Sequence, residues 1–154
     1  VAVTGVQTCA LPISADIHHA YSRSKDDPAM VTDAIIERVG LRAVADARVD
    51  ALPTGQCRLV ELGRSLATRP KVLLLDEPAS GQDDNETVAF AALLRDLADE
   101  GMAIVLVEHD VALVMEVCAH VHVLDFGRVI ASGEPAAIQR DDAVLAAYLG
   151  TGSA

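Results

Sequence analysis

The 154-residue chain carries 12 basic and 23 acidic residues, a formal charge of -11, and is 51% apolar. That apolar share builds a real core and excludes a disordered tract. The acidic balance and the 3% aromatic content exclude a nucleic-acid binder, which needs clustered Lys and Arg and stacking rings.

No apolar run approaches the roughly 20 residues of a membrane-spanning helix, so membrane association is expected only through a partner. Cys9, Cys57 and Cys118 are odd in number and show no metal-ligand spacing; they read as reduced thiols of a cytosolic protein, most simply as small apolar side chains. Val3 to Ser14, VTGVQTCALPIS, has no strong period. It resembles the conceptual translation of a sequencing-library adapter, so residues 1–14 are set aside as non-native, with native sequence expected from near Ser14 or Ala15.

His18 and His19 are adjacent and share no helix face, so they read as a solvated segment, not a metal pair. Asp27 caps a helix with Pro28 in its first turn; Met30, Ala34, Ile35 and Val39 are its apolar stripe, and Gly40 ends it. Leu41 to Leu52 reads as a short helix and a connection. Thr54 then caps a helix from about Gly55 to Thr68, with Leu59, Val60, Leu62, Gly63 and Leu66 packed and Arg58, Glu61 and Arg64 solvated. A small-residue turn opening a helix suits a phosphate, although many such helices bind nothing.

Lys71 to Pro78, KVLLLDEP, is the centre of the chain. Four apolar residues followed by Asp76 and Glu77 predict a fully buried strand that delivers two carboxylates at its carboxyl end, where open α/β sheets place their chemistry. Paired carboxylates need a charged partner, and a hydrated metal ion supplies one. Ala79 to Asp84 is a polar loop; Asp83 and Glu86 form a capping box for a helix over Asp84 to Asp99, packed through Val88, Ala91, Leu93, Leu94 and Leu97. Ala103 to Val107 predicts a second fully buried strand, parallel to the first through a right-handed crossover. Asp76, Glu77 and His109 are therefore expected at one rim.

Asp110 caps a short helix to Cys118, and Ala119 to Asp125 predicts a strand with a partly exposed face. His120 and His122 fall on one side of it; with no third ligand in the pattern they read as surface histidines. Gly127 turns into Val129 to Ala131, and Gly133 with Pro135 opens a last helical region.

In order and spacing, Ala15 to Gly150 resembles the carboxyl-terminal part of an ATP-binding-cassette (ABC) ATPase. The resemblance implies a truncated P-loop NTPase fold, α/β with a mostly parallel sheet and flanking helices. Residues 15–70 would be part of the helical subdomain with the signature helix, and residues 71–154 the carboxyl-terminal part of the ATPase core. VLLLDEP resembles the Walker B strand, implying Asp76 as the Mg²⁺ residue and Glu77 as general base. VEHD puts His109 at the switch-histidine position, facing the γ-phosphate of ATP. SGQD, with Ser80, Gly81 and Asp83, resembles the loop between the two nucleotide sites of a dimer, with Gln82 where leucine is usual. LPTGQ, with Pro53, Thr54, Gly55 and Gln56, falls where LSGGQ belongs.

The altered signature implies weakened ATP sandwiching, since Pro53 has neither hydroxyl nor N–H and Thr54 adds a side chain. No G-x-x-x-x-G-K-[ST] occurs in the sequence, so the chain by itself is expected not to hydrolyse ATP. The tail from Val123 resembles the ATPase subunits of branched-chain amino-acid importers. That implies a second ATPase subunit, identical or not, membrane permease subunits, a periplasmic binding protein acting indirectly, and a peripheral place on the cytoplasmic face of the inner membrane. Two other readings compete: a non-catalytic regulatory module lacking the phosphate loop, which retained Glu77 and His109 argue against, and a non-transport cassette of DNA repair, which the acidic balance argues against.

Overall fold

A computed structural model describes residues 27–149; the expectations for residues 1–14 and for His18 and His19 lie outside them. The chain divides into two compact units, one reaching to Glu108 and the other starting at His109.

In the first unit, helix α1 (Pro28–Arg38) starts as expected: the Asp27 carboxylate accepts from the Ala29 N–H at 3.0 Å and Pro28 stands in the first turn. Its packed face differs from expectation. Met30 is 72% exposed and Ala34 is also exposed, whereas Thr32, Ile35, Ile36 and Val39 are buried. Positions 32, 35, 36 and 39 are an i, i+3, i+4, i+7 set. Counting only apolar letters missed it, because its first member is a threonine. After Gly40, at φ 75°, the connection forms two 3₁₀ turns, Arg42–Val44 and Val49–Ala51.

Helix α2 (Thr54–Ala67) begins one residue earlier than expected: Pro53 is the N-cap, with no side-chain capping bond, and Thr54 is the first helical residue. Proline at φ -58° and ψ 154° already has the extended conformation that an N-cap needs, so Thr54 is not required there. Val60, Leu62, Gly63, Leu66 and Ala67 form its buried side.

Strand β1 (Val72–Asp76) pairs in parallel with β2 (Ala103–Val107), Val72 opposite Ala103 and Asp76 opposite Val107. Between them runs α3 (Asp84–Asp99), whose capping box is formed in full: Asp83 Oδ1 accepts from the Glu86 N–H at 2.8 Å and Glu86 Oε2 from the Asp83 N–H at 3.0 Å. Phe90, Ala91, Leu93, Leu94 and Leu97 are buried, but Val88, expected in the stripe, is 62% exposed. The guanidinium of Arg38 pairs with the Glu100 carboxylate and ties α1 to the end of α3.

The two strands are not fully buried. Leu73 is buried and Leu75, Ile104 and Leu106 are half-buried, but Val72, Leu74, Val105 and Val107 are exposed by 53–73%. Side chains alternate across a sheet, and the register puts these four on one face. Their apolar sequence presupposes cover on both faces; among the described residues only one face has it.

In the second unit, Asp110 Oδ1 accepts from the Leu113 N–H at 3.1 Å and caps α4 (Val111–Val117). Strands β3 (Val121–Asp125) and β4 (Arg128–Gly133) form an antiparallel hairpin. Its two-residue turn holds Phe126 and Gly127 at φ 43° and 76°, the double positive φ that matches strand twist. Val121 and Ala131 pack with Ile138 of α5 (Pro135–Ile138) and Val144 of α6 (Asp142–Val144), flanked by Val114, Met115, Cys118 and Val123. A π-helical turn, Leu145–Leu149, follows.

Candidate functional site

The site is built at the carboxyl end of β1. Asp76 is the last residue of the strand, opposite Val107, and both Asp76 and Glu77 are exposed. The parallel ladder continues one step past the strand, because the Glu77 N–H donates to the Val107 carbonyl at 2.8 Å. Glu77 then turns at φ 45°, a left-handed backbone that costs a non-glycine residue about 1–3 kcal/mol and concentrates at functional sites. The turn swings Pro78 into a buried position. It leaves two carboxylates side by side at the rim, one on the strand and one just past it.

The following loop is held from the second strand. The Ala79 N–H donates to Glu108 Oε1 at 3.0 Å, the Ser80 N–H to the Glu77 carbonyl at 3.2 Å, and the Gln82 N–H to the Ala79 carbonyl at 3.1 Å. Sequence reasoning missed Glu108. The signal was available: an acid directly after the second of two parallel strands lies beside the exit of the first.

The loop also meets the opening of α2. A Cβ on Gly81, at φ 82°, would lie 3.1 Å from Thr54 Cβ and 3.3 Å from Thr54 Cγ2; one on Gly55 would lie 3.0 Å from the Gly81 carbonyl oxygen and 3.2 Å from Gln82 Cγ. Thr54, Gly55, Gly81 and Gln82 are thus one packed contact. Gly55 is buried, Gln56, Ser80 and Gln82 are half-buried, and Pro53, Thr54, Gly81 and Asp83 are exposed. Asp83 spends one carboxylate oxygen on the capping box. The buried Gln82 Oε1 has no hydrogen-bond partner among the described residues, and its amide nitrogen reaches the Pro78 carbonyl at 3.5 Å.

The structure therefore packs Gly81 and Gln82 against Thr54 and Gly55, while Asp76, Glu77 and Ser80 precede them on the strand exit and its loop. His109 opens the second unit as an exposed residue directly before the capping Asp110. No group of three or more His, Cys, Asp or Glu side chains that would cage a metal occurs among the described residues. One or two carboxylates suit Mg²⁺, which keeps most of its water, so Asp76 fits that ion better than a tightly caged one. A shallow groove of about 540 Å³ lined by Glu61, Ser65, Val72 and Leu74 lies beside the bare sheet face and not at the carboxylates.

A parallel strand ending in paired acids, followed by a glycine loop packed on a helix opening, belongs to an α/β core, and the fold is that of ABC ATPase domains. The solved structure of cbiO1 from Clostridium perfringens, described as part of the ABC transporter complex cbiONQ, superposes with a TM-score of 0.76 at 28% identity, over 91% of this chain and 57% of that one. The family profile "ABC transporter" matches residues 7–80, and "Branched-chain amino acid ATP-binding cassette transporter" matches residues 128–154. The high-affinity branched-chain amino acid transport ATP-binding protein BraF of Pseudomonas aeruginosa is 36% identical over 132 residues, 85% of this chain and 52% of BraF. The lipopolysaccharide export system ATP-binding protein LptB of Haemophilus influenzae is 33% identical over 118 residues, 77% of this chain and 49% of LptB.

These matches place the chain with the ATP-binding subunits of ABC transporters. It spans about half the length of the curated relatives it matches.

Proposed function

We propose that the chain is part of the ATPase subunit of an importer, with branched-chain amino acids as the cargo class. The chemistry rests on one observation: two adjacent carboxylates at the exit of a parallel strand, the second turned out by a left-handed backbone. The cargo class rests on the tail, since residues 128–154 match the branched-chain profile, whereas similarity over most of the chain is shared with LptB, which is named for lipopolysaccharide export.

Bound ATP with Mg²⁺ supplies the γ-phosphoryl group and the cation that neutralises its charge. Asp76 offers a carboxylate oxygen to the hydrated cation. Glu77 orients a water molecule and accepts its proton as it attacks in line. The turn at Glu77 is held by its N–H bond to the Val107 carbonyl and by the Ala79 N–H bond to Glu108. His109 donates to a γ-phosphate oxygen, where developing charge is stabilised. Gly55, Gln56, Ser80 and Gly81, beside Pro53 and Thr54, face the nucleotide of a second subunit, and Asp83 fixes the helix behind that surface. The permease subunits receive the resulting motion at the membrane, the binding protein delivering cargo from the other side.

The test is catalytic. A subunit that joins this chain to a phosphate-binding loop should hydrolyse ATP, and Glu77→Gln should lower its kcat by about 10²–10⁴-fold while Mg-ATP still binds. Equal turnover by the two proteins would contradict the assignment of Glu77; ATP turnover by the 154-residue chain above its own Glu77→Gln control would instead overturn the expectation that the chain by itself is inactive.

A further inference from the structure

His120 is the residue just before β3 and His122 is the second residue of the strand, two positions on, while Val121 and Val123 pack into the core. Ser132 of β4 is directly across from His122. His120 Nε2 is 3.0 Å from Ser132 Oγ, and His122 Nδ1 is 2.9 Å from the same atom; the ring centroids are 4.9 Å apart. Two imidazole nitrogens on different rings therefore aim at a single point, and a small hydroxyl occupies it.

From this convergence we propose that His120 Nε2 and His122 Nδ1 form a two-imidazole site for a late first-row divalent cation, of the Zn²⁺, Ni²⁺ or Cu²⁺ class, with water completing the shell. Imidazole is the ligand these ions share, and both rings reach the same side of the hairpin, one from the strand and one from the residue before it, as their common contact with Ser132 Oγ shows. A Zn–N bond of about 2.0–2.1 Å needs each ring to close on the point by about 1 Å, a movement that exposed side chains make freely while Ser132 rotates aside. The metal-binding tautomers carry their proton on the far nitrogen, Nδ1 of His120 and Nε2 of His122, and present the near lone pair. The hydroxyl already requires one bare ring nitrogen if it donates to one ring and accepts from the other.

The platform is rigid because the opposite face of the hairpin carries the Val121, Ala131, Ile138 and Val144 core. The site lies wholly in the second unit and does not depend on the transport reading.

The experiment is a Zn²⁺ titration of the full chain carrying Leu74→Lys, which makes the bare sheet face polar and keeps the chain soluble, followed by long-range ¹H–¹⁵N spectra of the imidazole rings, which separate His120 and His122 from His18, His19 and His109. His120 Nε2 and His122 Nδ1 should shift together with one midpoint. His122→Gln should weaken Zn²⁺ at His120 by about tenfold or more, the scale on which losing even an outer-shell partner is felt. Ser132→Ala, which leaves both nitrogens in place, should hold Zn²⁺ as well as or better than the parent. Shifts confined to the other histidines, an unchanged midpoint in His122→Gln, or loss of binding in Ser132→Ala would overturn the assignment.

Discussion

Three residues show how side-chain size decides the site. Gly81 combines a φ of 82° with Thr54 against its open side, so Gly81→Ala should cost about 1–2 kcal/mol from backbone handedness alone, read as a shift in the urea midpoint. In a Thr54→Gly background the same change should cost less, because the methyl that a Cβ would strike is gone; equal costs would mean that the two residues do not touch. Restoring Ser and Gly at positions 53 and 54 should raise ATP-dependent dimerisation of a subunit carrying a phosphate-binding loop, at some loss of stability from the vacated contact. Unchanged dimerisation would sink the idea that LPTGQ weakens the sandwich.

Much of this was legible in the sequence. Asp76 and Glu77 were marked by residue type at a strand exit and Gly55 and Gly81 by the family resemblance, and the structure packs the last two segments against each other. The contact between Thr54 and Gly81 was not legible, because it joins segments far apart in sequence through a close approach that no periodicity encodes. Nor was the anchoring role of Glu108, which depends on the parallel register.

Elements were read best where a cap fixes them. The Asp27, Asp83 and Asp110 caps all form, since a side-chain acceptor two or three residues before the N–H groups it serves is a local property. Asp83→Ala should therefore cost about 0.5–2 kcal/mol, and because it also frees the loop holding Ser80 and Gly81 it should lower ATP-dependent dimerisation. An intact urea midpoint in that variant would contradict the cap. Faces were read less well. Thr32 replaces Met30 in α1, and Phe90 replaces Val88 in α3, because hydropathy names candidates but tertiary packing chooses among them. The Arg38–Glu100 pair sits between elements and holds the Glu100 carboxyl below its ordinary value, chiefly through the hydrogen bond. A carboxyl lowered on folding adds stability above its unfolded pKa and loses it as pH falls through the folded one. Glu100→Gln should accordingly flatten the acid limb of the stability profile, with little salt-resistant effect because the pair is exposed.

At the scale of the molecule, the bare face of β1 and β2 governs behaviour. Val72, Leu74, Val105 and Val107 are the contiguous apolar surface that a strand sequence evolved for two-sided cover leaves when one side is open. The chain expressed alone should aggregate at micromolar concentration. Leu74→Lys, on the open face at 73% exposure, should raise its soluble yield, whereas Leu73→Ala on the closed face, at 5%, should cost about 2–5 kcal/mol. A soluble, monomeric parent chain with one sharp unfolding transition would refute this account of the sheet.

The central claim is that these residues are the acid-and-signature portion of an ATP-binding cassette. Its most direct measurement is long-read sequencing of the source DNA across the junction near Ser14, from a library without adapters. The account predicts an open frame running upstream into a G-x-x-x-x-G-K-[ST] loop, with residues 1–13 absent from it. A gene that begins at Val1, with no such loop in frame, would contradict the claim and leave Asp76 and Glu77 without a phosphate to act on.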